Sequence, residues 1–214
     1  LIDGFNLYHA LDSDVSLRPF KWLNLKKLAQ CFVLSDEDLK TVYFFTAVTQ
    51  WSPTKTLRHK NYIKSQESKG AKVIHGRFHY SMVRCYHCGR SFKKFEEKQT
   101  DVNIAVTLLR LAHEDAFDKA LIISGDSDLA PSILAVKELY PEKKIGVIIP
   151  ITRRAEYLKK ITDFHHKIKR MHLYSSLMES PVALADGTQL TNPYPAPPTH
   201  PPTPPTPPPP SHTP

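Results

Sequence analysis

Four aspartates, far apart in the chain, are the residues best suited to chemistry. They are Asp3 in Leu1-Ile2-Asp3-Gly4-Phe5-Asn6, Asp101 in Lys98-Gln99-Thr100-Asp101-Val102, and Asp126 and Asp128 in Ser124-Gly125-Asp126-Ser127-Asp128. Each stands just past a strand-like run or in the first turn of a helix-like run. Carboxylates crowded together repel, and are tolerated mainly where a cation neutralises them. The chemistry on offer is therefore divalent-metal binding and attack on a phosphate ester. Taken singly, the same residues have a plainer explanation. Asp, Gly and Asn are ordinary turn formers after a strand, and Asp128 could cap a helix. The metal reading depends on all four meeting.

The elements that must bring them together follow from apolar periodicity. Leu1-Ile2 reads as the end of a strand. Residues 21–34 carry Trp22, Leu25, Leu28 and Phe32 at helical spacing, with Asn24 as a candidate cap. Residues 41–48 form a β-branched and aromatic strand. A basic helix is expected from Pro53 to Lys69, ended by Gly70. Residues 71–78 read as a strand. Residues 101–113 are apolar nearly all round and read as a buried helix. Strands at 119–124 and 144–149 flank a helix at 128–139. A short helix is expected at 153–161, and 164–173 fits an edge strand or a helix. This β-α alternation, with continuously apolar strands, implies an α/β fold with a parallel central sheet covered on both faces. Ligands in such folds bind beyond the carboxyl ends of the strands, at the switch in strand order. Right-handed crossovers put the amino ends of the helices on that same edge, so all four aspartates are expected on one rim.

Three sequence segments carry a family resemblance: Ile-Asp-Gly-Phe-Asn-Leu-Tyr at 2–8, Glu-Glu-Lys-Gln-Thr-Asp-Val-Asn-Ile-Ala at 96–105, and Ile-Ser-Gly-Asp-Ser-Asp-Leu-Ala-Pro at 123–131. Their types and order resemble the NYN domain family, a branch of the PIN-like nucleases, over roughly residues 1–175. The resemblance implies a Rossmann-like domain that cleaves RNA with Mg²⁺ or Mn²⁺, leaving 5′-phosphate and 3′-hydroxyl ends. It implies that Asp3, Asp101, Asp126 and Asp128 form the acidic metal site and that Asn6 helps hold the site or the substrate. None of these acids is replaced here.

The surroundings add candidates. Ser124 and Ser127 could bond phosphate or orient the carboxylates. Lys98, three residues before Asp101, could neutralise a phosphate oxygen at the scissile bond, and Glu96 and Glu97 either extend the acidic rim or are solvated. The chain has 29 Lys and Arg, all at or before Arg170, against 19 of its 21 Asp and Glu; only Glu179 and Asp186 lie beyond. The body is thus formally +10, which suits a polyanionic substrate. Arg84, Lys93 and Lys94, with Arg90, mark a loop before the catalytic helix in which Tyr86, Phe92 and Phe95 could stack bases. Other basic clusters lie at Lys55, Arg58, His59 and Lys64, and between Arg153 and Arg170. Cys85-Tyr86-His87-Cys88-Gly89 is half of a zinc knuckle, which would need His87, His79 or His75 to approach four ligands; the other reading is two free thiols in an exposed loop.

Other function classes are excluded. There is no nucleophile elbow for a serine hydrolase, and the seven glycines are scattered singly, without a phosphate-binding loop. Asp3 is followed two positions on by Phe5, so the paired carboxylate of an aspartyl phosphatase is missing. Two rivals stay open: a non-catalytic RNA-binding or scaffold protein with the same fold, and a structure-selective DNA nuclease. Three cysteines make no disulfide framework, and neither a secretory signal nor a membrane-spanning run is visible, so a cytoplasmic setting is expected. The chain opens on Leu inside a strand, so residues preceding Leu1 are expected. From Pro181 onward lie 14 of the 19 prolines. Residues 176–214 are accordingly expected to be a disordered Pro-rich tail, with polyproline II at 201–210 and SH3-like or WW-like domains as candidate partners.

Overall fold

The computed structural model describes residues 1–49 and 51–197. In chain order, β1 (Ile2–Asp3) runs without a loop into α1 (Gly4–Asp12), a 3₁₀ segment (Val15–Lys21) and α2 (Leu25–Gln30). Then come β2 (Val42–Thr46), α3 (Pro53–Ser68), β3 (Ala71–His75), β4 (Arg77–Arg84), β5 (Ser91–Lys98) and α4 (Thr100–His113). β6 (Lys119–Ile123), a short 3₁₀ turn (Ser127–Leu129), α5 (Ala130–Leu139) and β7 (Lys144–Ile149) follow, then α6 (Glu156–Ile161), β8 (Phe164–Lys167), α7 (Arg170–Ser175), β9 (Val182–Ala183) and β10 (Gln189–Leu190).

Six strands make one parallel sheet in the order β3-β2-β1-β6-β7-β8. Consecutive side chains on each strand feed opposite cores. Phe44, Ile123 and Ile148 join Ile2, Leu7, Phe20 and Leu25 on one face, while Phe45, Ile122 and Val147 join Ile104, Leu108 and Ile133 on the other. This is the period-two pattern of a sheet buried on both sides, and the Rossmann-like α/β architecture is as expected. Strand order reverses between β1 and β6, where Ile2 pairs with Ile123. The carboxyl ends of these two strands therefore open the crevice in which this fold binds ligands.

Several elements differ from expectation for identifiable reasons. The helix expected over 21–34 is confined to Leu25–Gln30. Upstream, the Leu23 carbonyl accepts from Gln66 and Tyr62, and Leu23 bridges to Leu177, so this backbone is committed elsewhere. Asn24 does cap the helix, accepting from the Lys27 N–H at 3.0 Å. The all-round apolar helix α4 buries only Ile104, Leu108 and their neighbours; Val102 and Val106 face solvent. The strand expected over 71–78 stops at His75. Gly76 turns the chain where a Cβ would meet Glu97 Oε1 at 2.7 Å and the Lys98 carbonyl at 2.8 Å. The expected basic loop is instead an antiparallel hairpin, β4 with β5, in register from Arg77↔Lys98 to Arg84↔Ser91. Residues 164–173 are both things at once, β8 and the start of α7.

The expected boundary at 175 is also revised. Met178, Val182 and Leu190 form a third apolar cluster around Trp22, which is wholly buried. Backbone bonds from Asn24 to the Ser176 carbonyl (2.8 Å) and from Met178 to the Trp22 carbonyl (3.1 Å) tie this segment down. A large indole beside a short α2 needs a cover, and residues 176–194 supply it. The proline run at 201–210, with its expected polyproline II form and partners, lies outside the described residues.

Leu190→Ala removes part of that cover. It is expected to cost about 2 kcal/mol or more, read as a lowered midpoint in urea or thermal unfolding.

Candidate active site

Asp3 ends β1 in extended conformation and at once caps α1, its Oδ1 accepting from the Asn6 N–H at 2.9 Å. So abrupt a strand-to-helix passage needs Gly4, where a Cβ would lie 2.6 Å from the Phe45 carbonyl oxygen and 2.5 Å from the Phe44 ring. The other carboxylate oxygen of Asp3, Oδ2, accepts from the buried Ser124 hydroxyl at 2.8 Å. Ser124 Oγ in turn accepts from the Asp126 N–H at 3.1 Å, and Asp126 Oδ1 accepts from the Asp128 N–H at 3.1 Å. The Asn6 side-chain oxygen accepts from the Gly125 N–H at 3.0 Å. A continuous chain of hydrogen bonds thus spans the crevice from α1 to the loop after β6.

Asp101, in the first turn of α4, faces this group from the other side. Burial, then the charges of Asp3, Asp126, Glu97 and Asp128, push its carboxyl up to about 6. Burial likewise raises Asp3, although its two hydrogen bonds oppose the shift. Asp3 and Asp126 stand at the carboxyl ends of adjacent β1 and β6, and Asp101 opens α4, so these acids and Asp128 lie along one edge of the sheet. The chemistry of the donors fits a hard divalent ion: carboxylate oxygens without thiolate or imidazole. Among the described residues, no three His, Cys, Asp or Glu side chains are drawn tightly around one point.

The remaining candidates are sorted by the geometry. Ser124 is bonded to the Asp3 carboxylate and to the Asp126 backbone. Ser127 is exposed on the 3₁₀ turn. Lys98 is not brought to the cluster. It alternates with Glu97 on β5, so it points to the opposite face of the hairpin, where it pairs with Glu96 at 3.0 Å; Lys94 pairs with the same Glu96 at 2.7 Å. Glu97 is the acid that turns inward. It caps the entry to α4, accepting from the Thr100 N–H at 3.2 Å and from the Thr100 hydroxyl. Gln99 adopts a left-handed φ of 80° to make this turn. Arg84, Lys93 and Lys94 lie along the outer half of the hairpin, Lys93 over the Tyr80 ring. Arg84 is about seven residue pairs from Lys98, roughly 24 Å at the usual strand rise.

Cys85 and Cys88 bracket the hairpin turn. Backbone N–H groups of Cys88 and His87 point at the Cys85 sulfur and hold its thiol below the usual range. Among the described residues no third ligand joins the pair.

Sequence reasoning missed two features. Arg153, in the loop after β7, lies against Gly125, since a Cβ there would meet the Arg153 Cβ at 3.0 Å. Its Nε is buried without a hydrogen-bond partner among the described residues. Its only sequence signal was membership of a long basic run. The second feature is a cavity of about 490 Å³ between α1, the end of β2, α3 and the base of the hairpin. Glu97 and Gly4 form its border with the acidic rim, Trp51, Phe78 and Phe95 part of its wall, and Lys55 and Arg58 its cationic side. Residues dispersed from Gly4 to Tyr194 line it, so no local motif could announce it.

The family model described as "NYN domain" matches residues 1–169. A curated relative, 6-hydroxy-3-succinoylpyridine 3-monooxygenase HspA of Pseudomonas putida, is 23% identical over 186 residues, covering 70% of this chain. The match spans 58% of that relative's length. A solved structure of a protein of unknown function from Vibrio parahaemolyticus superposes with a TM-score of 0.54 at 15% identity, covering 83% of this chain and 93% of its own, a likeness of fold.

Relief of the repulsion is measurable. Asp126→Asn is expected to raise the melting temperature of the metal-free protein by a few degrees. The same variant is expected to lose most of the further thermal shift that Mg²⁺ or Mn²⁺ gives the wild type, as differential scanning fluorimetry would show.

Proposed function

This chain belongs to the NYN domain family, a branch of the PIN-like nucleases, and from that premise we propose that it hydrolyses RNA with Mg²⁺ or Mn²⁺ held by Asp3, Asp101, Asp126 and Asp128. The observation that carries this reading is the crowding of those four acids at the switch crevice of a body with a formal charge of +10. A divalent ion bound there supplies an acidified water as nucleophile and offsets charge on the phosphate.

The chain's own residues do the positioning. Ser124 and the Asn6 N–H hold the Asp3 carboxylate at a fixed angle. The Asn6 side chain fixes the Gly125 backbone and with it the Asp126–Asp128 loop. Arg153 packs beside that loop, and its guanidinium is a cationic donor for a substrate phosphate oxygen. Glu97, rather than Lys98, adds a charge to the rim. Arg84, Lys93 and Lys94 grip the strand at a distance.

A second reading has its own support. The Pseudomonas relative is named as a monooxygenase of a pyridine compound, and the aromatic, cation-sided cavity would accept a small heteroaromatic acid. Under this reading, 6-hydroxy-3-succinoylpyridine would bind the cavity and RNA would survive intact.

The deciding experiment incubates a fluorescent single-stranded RNA with purified protein and Mn²⁺, with and without chelator, beside the same sequence in DNA. Chelator-sensitive cutting of RNA is expected. Cutting of DNA alone would establish the DNA nuclease, and binding without cutting the scaffold protein. Asp101→Asn is expected to reduce the rate at least 100-fold, and Arg153→Ala by about tenfold with the fold intact. Neutralising Arg84, Lys93 and Lys94 together is expected to weaken binding and lower its salt slope by about 0.7 per lost phosphate contact, with single-turnover rates at saturating RNA little changed.

A further inference from the structure

We infer that the aromatic cavity beside the acidic rim is a nucleobase pocket, which takes one unpaired base next to the phosphate being cut and so restricts the enzyme to single-stranded RNA. This rests on the ribonuclease reading above and adds to it the form of the substrate.

The cavity's lining is that of a site for an aromatic group, with rings on its wall and cationic side chains at its side. Trp51 lies on Phe95, centroids 4.2 Å apart and planes at 25°, and Phe78 meets Trp51 edge-on at 4.7 Å. Phe5 meets Phe78 edge-on at 5.5 Å, carrying the aromatic wall to α1 beside Asp3. These four rings are fixed against one another, while Trp51 remains 42% exposed. A rigid, partly uncovered indole is a stacking platform available to any base. About 490 Å³ lies within the usual range of small-molecule sites.

Polar groups complete the fit. Lys55 and Arg58 stand on one helix turn of α3 along the cavity's side. Among the described residues Lys55 has no acidic partner, and Arg58 lies over the Tyr194 ring at 5.3 Å. Both can meet the phosphates that flank a bound base. Inside, His59 is bonded to the Thr46 hydroxyl at 2.9 Å, and burial, with His75 nearby, pushes its pKa down to about 4. It is therefore a neutral imidazole at pH 7, able to share a hydrogen bond with a base edge without adding charge.

Continuity with the catalytic rim assigns the cavity to the cutting site itself. Glu97 and Gly4, the residue after Asp3, border the cavity, and Glu97 accepts from the N–H of Thr100, the residue before Asp101. A base seated against Trp51 therefore places its neighbouring phosphate toward the acids. A base within a duplex is stacked and paired and cannot enter without being extruded.

The test separates the pocket from the nuclease. Adenosine monophosphate is titrated into metal-free protein while tryptophan emission is followed; Trp22 is wholly buried, so quenching reports Trp51. Saturable quenching is expected, at least tenfold weaker for Lys55→Gln/Arg58→Gln and for adenosine without phosphate. In the second arm, a short single-stranded RNA carries one abasic position, moved stepwise along the strand. One position next to the cut is expected to raise KM about tenfold with little change in kcat. Trp51→Ala is expected to remove that penalty and Trp51→Phe to keep it, and the duplex form of the RNA is expected to resist cutting. Cutting without quenching, or abasic strands and duplex cut as well as the intact single strand, would overturn the pocket and leave the nuclease standing. Quenching by the nucleotide with no cutting of any RNA would instead remove the nuclease reading and, with it, the substrate assigned to the pocket.

Discussion

A buried carboxylate set among other acids at the edge of the sheet is the constraint on which this structure turns. Asp3 is almost wholly buried, and its carboxyl and that of Asp101 are raised first by burial and then by the neighbouring acids. Nothing in an apolar core can provide for such a group. It is maintained by a row of hydrogen bonds, Asn6 to Gly125, Asp3 to Ser124 and Asp126 to Asp128, each using a backbone or hydroxyl donor. The two-sided cores beneath the sheet hold β1 and β6 in register, and only while they do so can those bonds meet.

The β4–β5 hairpin is what turns a Rossmann-like sheet into this particular site. Inserted between β3 and α4, it pairs with itself and stands clear of the sheet. Its base delivers Glu97 to the rim and Phe78 and Phe95 to the cavity, and its outer half carries Arg84 and Lys93 into solvent. Strand alternation separates the roles of neighbours. Glu97 turns inward and Lys98 outward, where it and Lys94 neutralise Glu96. The same element thus carries an acidic side chain at one end and cationic ones at the other.

Much of this was legible in the chain. Continuous apolar runs such as Lys-Ala-Leu-Ile-Ile and Lys-Ile-Gly-Val-Ile-Ile could only be strands covered on both faces, and their alternation with helices already put Asp3, Asp101, Asp126 and Asp128 on one edge. Asn24 as a cap and Gly70 as a terminator are local chemistry and were equally readable. Misreadings arose where a partner distant in sequence overrode the local pattern. Trp22 shares the helical spacing of Leu25, Leu28 and Phe32, but Gln66, Leu177 and Met178 claim the backbone groups of Trp22 and Leu23. The prolines after 181 announced a tail, while Val182 and Leu190, few and isolated, gave no hint that they would cover an indole 160 residues away. Lys98 looked catalytic by its distance from Asp101 along the chain, and the pleat of β5 sends it the other way.

What the sequence by itself determined is the class of fold and the edge of the sheet on which the four aspartates stand, because apolar runs and their alternation with helices are enough to predict both. Family membership was legible as well, in three short motifs kept in order. Only the tertiary structure decided which side chains lie beside those acids. Arg153 owes its buried, unpaired Nε to the packing of the loop after β7 against Gly125. The cavity exists because Trp51, Phe78 and Phe95 from separate elements lock together beside α1. Enclosure and the partnering of a buried donor are properties of surfaces meeting in space, and no spacing along one chain encodes them locally.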